Sequence, residues 1–433
     1  MCKPVTDNAA AGARGPLSAL VTVLAIATGL LAANLYYAQP LIGEIGPEIG
    51  ISPDLSGSLV SITQIGYGAG LFLLVSLADL IENRRLVIAM LGVTAAALVG
   101  AALSRAAAPF FAASCIIGFT STSAQVLVPF VARLAPDAHR GRIVGNVMGG
   151  LLTGIMLARP AALFIAASFG WRAVFWCSAA LTVVIGVALA RMMPRYQPRG
   201  RMNYGRVLAS MFELLRDIPA LRWRAAYQAL LFGAFNIFWT AVPFLLAARF
   251  GLDQRGIGLF ALAGAGGALA APFAGRLADR GLVRALTAGA LLALGLCFYA
   301  TRWAADAVAL LPLAVLAVLI DAAVQTNQVA SQKIIFSVAA EARGRVNAIY
   351  MTVTFLGGAL GSIVGTASYH WGGWDATAAT GGLVGAAALL LFGLQMRGAL
   401  ARRRRGEPAQ EAGLAAANTA TSIEKLPSGA VSK

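Results

Sequence analysis

Apolar stretches of about twenty residues recur along the whole of this 433-residue chain. Each is long enough to cross a hydrocarbon core of about 30 Å as a helix. We read twelve spans: 17–38, 56–77, 86–104, 108–131, 143–167, 173–191, 226–247, 256–275, 285–301, 307–331, 346–367 and 376–396. Hydrophobic residues make up 59% of the chain and charged ones 12%, against about 25% charged in a soluble domain. That excludes an ordinary globular fold. The first span runs past signal-peptide length into Tyr36 and Tyr37, so it reads as an uncleaved membrane helix.

The net charge of +16 would suggest nucleic acid in a soluble protein, but its placement says otherwise. Arg105, Arg172, Arg249, Arg255 and Arg302 fall on one side of the spans, and Arg159 falls within one. The other basic residues fall on the opposite side. By the positive-inside rule that side is cytoplasmic. The expectation is a multi-pass protein of the cell inner (plasma) membrane with both termini in the cytoplasm, its partners being the lipid bilayer and a small-molecule substrate. No nucleic acid and no obligate protein partner are expected. Cys2, Cys115, Cys177 and Cys297 form no C-x-x-C pair, and His139 and His370 lie near opposite faces. Disulfides, metal and bound cofactors are therefore not expected. No G-x-x-x-x-G-K-[ST] loop is present, so the chain has no P-loop of its own to hydrolyse ATP; a proton gradient is the expected energy source.

The chain also repeats itself. Asn34-Leu35-Tyr36-Tyr37 returns as Asn236-Ile237-Phe238-Trp239, with Pro40 and Pro243 following. Leu77-Ala78-Asp79 returns as Leu277-Ala278-Asp279, and Arg140-Gly141-Arg142 as Arg343-Gly344-Arg345. The three share one order and nearly one spacing, so a duplicated architecture is expected. Its parts are a lead-in at 1–16, a six-helix bundle at 17–191, a cytoplasmic linker at 192–225, a second bundle at 226–396, and a tail at 397–433 whose composition suits disorder. Within the linker, the segment near Val207–Leu215 reads as an amphipathic helix on anionic lipid.

The spans cycle in character with a period of three. Spans 2, 5, 8 and 11 are glycine-rich, which suits close helix packing and contact faces along which bundles rock. Spans 1, 4, 7 and 10 carry polar and aromatic groups at depth: Asn34, Tyr37, Gln125, Asn236, Trp239 and Gln325 are the candidate solute contacts. Polar groups in hydrocarbon need partners or water, so these helices are expected around one wet cavity. Trp171, Trp371 and Trp374 are read as an interfacial belt.

This three-fold cycle nested in a two-fold repeat resembles the major facilitator superfamily across residues 17–396. The resemblance implies an all-α polytopic membrane protein of twelve transmembrane helices in two pseudo-symmetric six-helix bundles, with spans 1, 4, 7 and 10 around the cavity. Residues 275–284 are similar to the family's G-x-L-A-D-[RK]-x-G-[RK]-[RK] loop, and residues 75–85 are a weaker copy. By that resemblance Asp79, Arg84, Asp279 and Arg280 are cytoplasmic gate candidates. Gly150 and Gly154 resemble the G-x-x-x-G of the family's twelve-helix drug/proton antiporter branch, with Pro160 displaced.

Arg159 and Asp321 are the ionisable residues well inside spans. Each costs roughly 2.5–3.5 kcal/mol if it meets lipid at mid-helix, so each should face protein or water. They are the proton-coupling candidates, set by span midpoints about 9 Å apart in depth at 1.5 Å per residue. The expected function is secondary active transport of a small organic solute by alternating access, with proton-coupled efflux of drug-like or metabolite substrates. Uptake of a small organic anion with protons is the alternative. A non-transporting sensor or an intramembrane enzyme is the remaining class, but neither buried histidines nor paired carboxylates serve it.

Overall fold

The computed structural model describes residues 8–404 except 79, 137–138, 199–202 and 339–341. The first half contains α1 (Asn8–Ala33), α2 (Ile42–Glu48), α3 (Ser58–Leu77), α4 (Asn83–Leu103), α5 (Ala107–Ser121), α6 (Ser123–Leu134), α7 (Arg140–Phe169) and α8 (Trp171–Met192). A connecting helix α9 (Tyr204–Asp217) follows. The second half contains α10 (Pro219–Phe250), α11 (Gln254–Ala263), α12 (Ala270–Asp279), α13 (Val283–Asp306), α14 (Leu310–Val338) and α15 (Arg343–Arg404).

Among the described residues nine segments are long and apolar enough to cross a bilayer. One of them is α15, two arms joined where Gly372 and Gly373 leave helical geometry. With Ser18–Ala33 and the broken passage of α11 and α12, helix is found at every one of the twelve expected spans.

Three spans are less regular than their composition suggested. Span 1 stops being helical at Ala33 and resumes as a 3-10 turn at Gln39–Leu41. Pro40 lacks an N–H and so cannot donate to the Tyr36 carbonyl as a continuing α-helix would require. Span 8 breaks into a 3-10 segment at Gly264–Leu269, between α11 and α12. Span 4 is divided at Thr122, between α5 and α6. By contrast α7 runs unbroken through Pro160.

Helix pairing repeats between the halves. In the first, α1 packs on α7, α3 on α5 and α4 on α8; in the second, α10 packs on the first arm of α15, the 3-10 segment on α14, and α13 on α15. Glycines set the first of these pairings. A Cβ on Gly154 would run into the Gly29 backbone, and one on Gly361 into that of Gly233. Much of the glycine of spans 5 and 11 therefore closes packing within a half rather than forming a rocking face. These pairs also fix the repeat register: Gly29 corresponds to Gly233 and Gly154 to Gly361. On that register Asn34 matches Phe238, and Asn236 matches Ala32. The sequence match of Asn34 with Asn236 is thus two residues out of step with the structural one.

The halves meet through α3 with α15 and α7 with α11, again a symmetric pair. On the arginine-rich side α9 adds a strap. Met211 is buried against Val346, Ile349 and Tyr350 of α15, with Phe72 of α3 and Leu208 packed alongside, and Val207 is buried too. Tyr204 donates to the Leu73 carbonyl at 3.0 Å, and Arg345 to Ser210 at 2.6 Å. The apolar face of α9 therefore lies on protein, correcting the expectation of a lipid-lying helix. The expected tryptophan belt is also revised. Trp371 is fully exposed, while Trp171 and Trp374 are buried and donate to Glu48 and to the Thr301 carbonyl.

Candidate functional site

The two ionisable residues from the apolar spans sit on either side of one indole. Trp239 Nε1 donates to Asp321 Oδ1 at 2.8 Å. The Arg159 guanidinium lies 4.6 Å from the centroid of the same Trp239 side chain, 5.0 Å from that of Tyr36 and 5.2 Å from that of Phe235. Arg159 is 5% exposed and Asp321 7%. No ion pair within 4.0 Å joins them. Their depths agree better than span midpoints suggested. Helix α14 extends to Val338, which moves its centre towards the arginine-rich side. Counted from the helix centres, Arg159 and Asp321 differ by only about 2 Å at 1.5 Å per residue.

Asp321 is housed by the break in span 8. A Cβ on Gly264 would meet Trp239 Cζ2 at 2.5 Å and Asp321 Oδ2 at 2.9 Å, and one on Gly267 would strike Asp321 Cβ. Only glycine leaves space for a carboxylate there. The same glycines that loosen the helix therefore admit the acid.

Arg159 is held differently. Its Nε donates to Gln39 Oε1 at 2.9 Å, while Nη2 is buried without a partner. Cation–π contacts of about 0.5–2 kcal/mol each offset part of the cost of burying this charge. Around Gln39 a neutral network crosses between the halves. Gln39 Nε2 donates to Asn236 Oδ1 at 3.2 Å and to Thr240 at 3.1 Å, Gln64 Nε2 to Asn236 Oδ1 at 2.7 Å, and Ser362 to the same oxygen at 3.3 Å. The unwound stretch after Ala33 carries Tyr36 and Gln39 into this layer.

The candidates from the sequence divide into three groups. Arg159, Asp321, Trp239 and Asn236 come together. Gln125 is half-buried and donates to Tyr67 at 3.2 Å, and half-buried Gln325 lies one turn from Asp321 on α14. Both are closer to the arginine-rich side. Asn34 lies apart: it accepts from Ser178 of α8 at 2.6 Å, inside the first half. Tyr37 lines an apolar groove of about 400 Å³ between α1 and α7. Gln64 and Ser362 were missed, because spans 2 and 11 were read as packing helices. The one cue was a lone glutamine among the glycines of span 2.

Among the gate candidates, Asp79 lies outside the described residues. Arg84 donates to the Ala190 carbonyl at the end of α8. Asp279 pairs with Lys333 of α14 at 2.7 Å, and Lys333 also donates to the Ala278 carbonyl at 2.7 Å. Arg280 follows α12 at its exposed end. The described contacts of Arg84 and Asp279 thus stay within one half. The cross-half contacts on the opposite face are of another kind. Gln254 donates to Glu44 of α2, and Gly57 N–H to Thr366 at 3.2 Å. Nearby, Trp171 and Arg172 both bond Glu48 and hold its carboxyl below the usual range.

This distribution defines one conformation. Helix α7 packs on α11 and on the 3-10 segment, but makes no comparable contact with α12 among the described residues. The halves are closed on the face of α2; on the arginine-rich side α7 and α12 separate, while α3 and α15 stay in contact, Thr352 donating to the Gly68 carbonyl at 3.0 Å. An aromatic cluster of Tyr67, Phe232 and Phe355, with centroids 4.5–5.0 Å apart, floors the charged layer from that side.

A family profile described as Major Facilitator Superfamily matches residues 24–310 and 225–427. The chain is 38% identical over 375 residues to the uncharacterized transporter YgaY of Escherichia coli O157:H7, covering 86% of this chain and 95% of that one. It is 36% identical over 381 residues to "Probable transporter SCO4007" of Streptomyces coelicolor, covering 85% and 86%. A chloramphenicol resistance protein of Streptomyces lividans is 25% identical over 283 residues, covering 63% and 70%. Among solved structures, the nucleoside transporter NupG superposes with a TM-score of 0.69 at 14% identity, over 86% of this chain and 98% of that chain.

Proposed function

The chain belongs to the major facilitator superfamily, and we propose that it moves a small organic solute across the inner membrane by alternating access, using a proton bound at Asp321. The arginine-rich side is the cytoplasmic one, both termini lie there, and the halves rock about the Trp239 layer. The observation that carries this reading is a carboxylate, 7% exposed, lodged between a helix break and an indole where both halves meet. A buried acid with a single polar contact binds and releases a proton at low cost when its surroundings change. No bound cofactor enters the cycle.

Export is supported by the glycine pattern of α7 and by a relative named for chloramphenicol resistance. A second reading, uptake of an organic anion with protons, is favoured by one observation, the unpartnered Arg159 Nη2. The test is transport by purified protein in liposomes under an imposed pH gradient. Wild type accumulates solute uphill. Asp321→Asn retains downhill exchange and loses accumulation. Normal uphill rates in the variant would exclude Asp321 as the proton site.

A further inference from the structure

The second of those readings can be taken to a ligand class. Arg159 is the described cation held deepest between the halves, and its hydrogen-bonded partner is the neutral amide of Gln39. One nitrogen, Nη2, faces no acceptor although the residue is 5% exposed. The nearby acid does not serve it, since no Asp321 oxygen lies within 4.0 Å of the guanidinium. The rings of Tyr36, Phe235 and Trp239 surround the guanidinium, their centroids 4.6–5.2 Å from its central carbon. A second buried acceptor without a donor, Gln64 Oε1, borders the same layer through Asn236. A free guanidinium N–H matches an oxyanion, and a wall of rings matches a flat apolar body.

We propose that this box is the anchoring site for the solute's charged head, and that the solute is a planar organic monoanion whose carboxylate bonds Arg159 Nη2 while its body lies against the three rings. Gln39 is a positioning residue that holds the guanidinium edge-on to the site. An anion here favours a neutral Asp321, since two negative charges would otherwise share one dry layer. Anion and proton therefore load together and move in the same direction, a reciprocity that linkage requires. The inference rests on the anion reading of the site and not on the flux assay.

The experiment is calorimetric titration of the full chain in nanodiscs with benzoate, its neutral isostere benzamide, and 1-naphthoate. Wild type binds benzoate at least tenfold more tightly than benzamide, and 1-naphthoate more tightly still. Arg159→Gln binds benzoate and benzamide alike. Asp321→Asn, which removes the competing charge and keeps the box, binds benzoate severalfold more tightly than wild type and is the reading that survives if Arg159→Gln fails to fold. Equal affinity for benzoate and benzamide, absence of anion binding up to about 10 mM, or weaker benzoate binding by Asp321→Asn each overturns the proposal. Loss of uphill transport in Asp321→Asn liposomes alongside any of these results would leave the transport reading standing and remove only the anion.

Discussion

Trp239 carries two charges on one side chain, with an acid at its N–H and a guanidinium over its face. Trp239→Phe keeps a ring for Arg159 but strands Asp321 Oδ1 without a donor. A buried polar atom left unpaired costs about 1–3 kcal/mol, so the variant should melt earlier in detergent, and Asp321→Asn combined with it should recover part of the loss. At the opposite face Glu48 gives a separate test. Its carboxyl is held low by Trp171 first and Arg172 second, so its contribution is present above the ordinary glutamate range near 4.3. That contribution is lost as pH falls through the depressed folded value. Glu48→Gln should therefore be less stable than wild type at pH 7 and equal to it in strong acid, read as the difference in thermal midpoint. Arg159 and Asp321 were legible in the sequence because a charge in an apolar span must be housed. Their common depth was not, since it depends on how far α14 continues past the span's apolar edge. Gln64 and Ser362 were hidden for another reason: a single polar residue on a packing helix has no pattern.

Elements show a different balance. The places of the twelve spans followed from apolar length, while the breaks in spans 1, 4 and 8 followed from local chemistry within them. The third looked like packing glycine until the carboxylate opposite it was placed. Gly154 and Gly149 separate packing from mere composition. Gly154 faces the Gly29 backbone, whereas Gly149 has nothing within 4 Å. Gly154→Leu should lose about 1–3 kcal/mol by overpacking, and Gly149→Leu almost nothing, as measured by thermal unfolding of matched samples. Gly267→Ala would press a Cβ on Asp321 Cβ and on the α14 backbone at Ala322, so it should displace Asp321 and loosen the packing of α14. Its expected signature is a lowered melting point together with impaired uphill transport. Helix α9 shows how an amphipathic pattern underdetermines its partner, because protein and lipid both accept an apolar face.

For the whole molecule, duplication was readable but its register was not. Short matches at Asn34 and Asn236 pointed to two halves, and helix pairing bears out the halves while sliding that match by two residues. A two-residue slip turns a side chain about 200° around a helix. That is why Asn34 faces Ser178 inside its own half while Asn236 faces the other half. Gate acids could not be placed from sequence either, since the partners they find depend on which face is closed. The central claim is that the halves rock about the charged layer, and spin-label distances across both ends of one contact test it most directly. In a background free of native cysteine, labels at Met148 and Arg276 span the parted side, and labels at Phe169 and Leu259 span the closed side, all four positions being exposed. Across a change of pH in liposomes, the account predicts that the first distance shortens as the second lengthens. Two distances that stay fixed, or that change in the same sense, would contradict it.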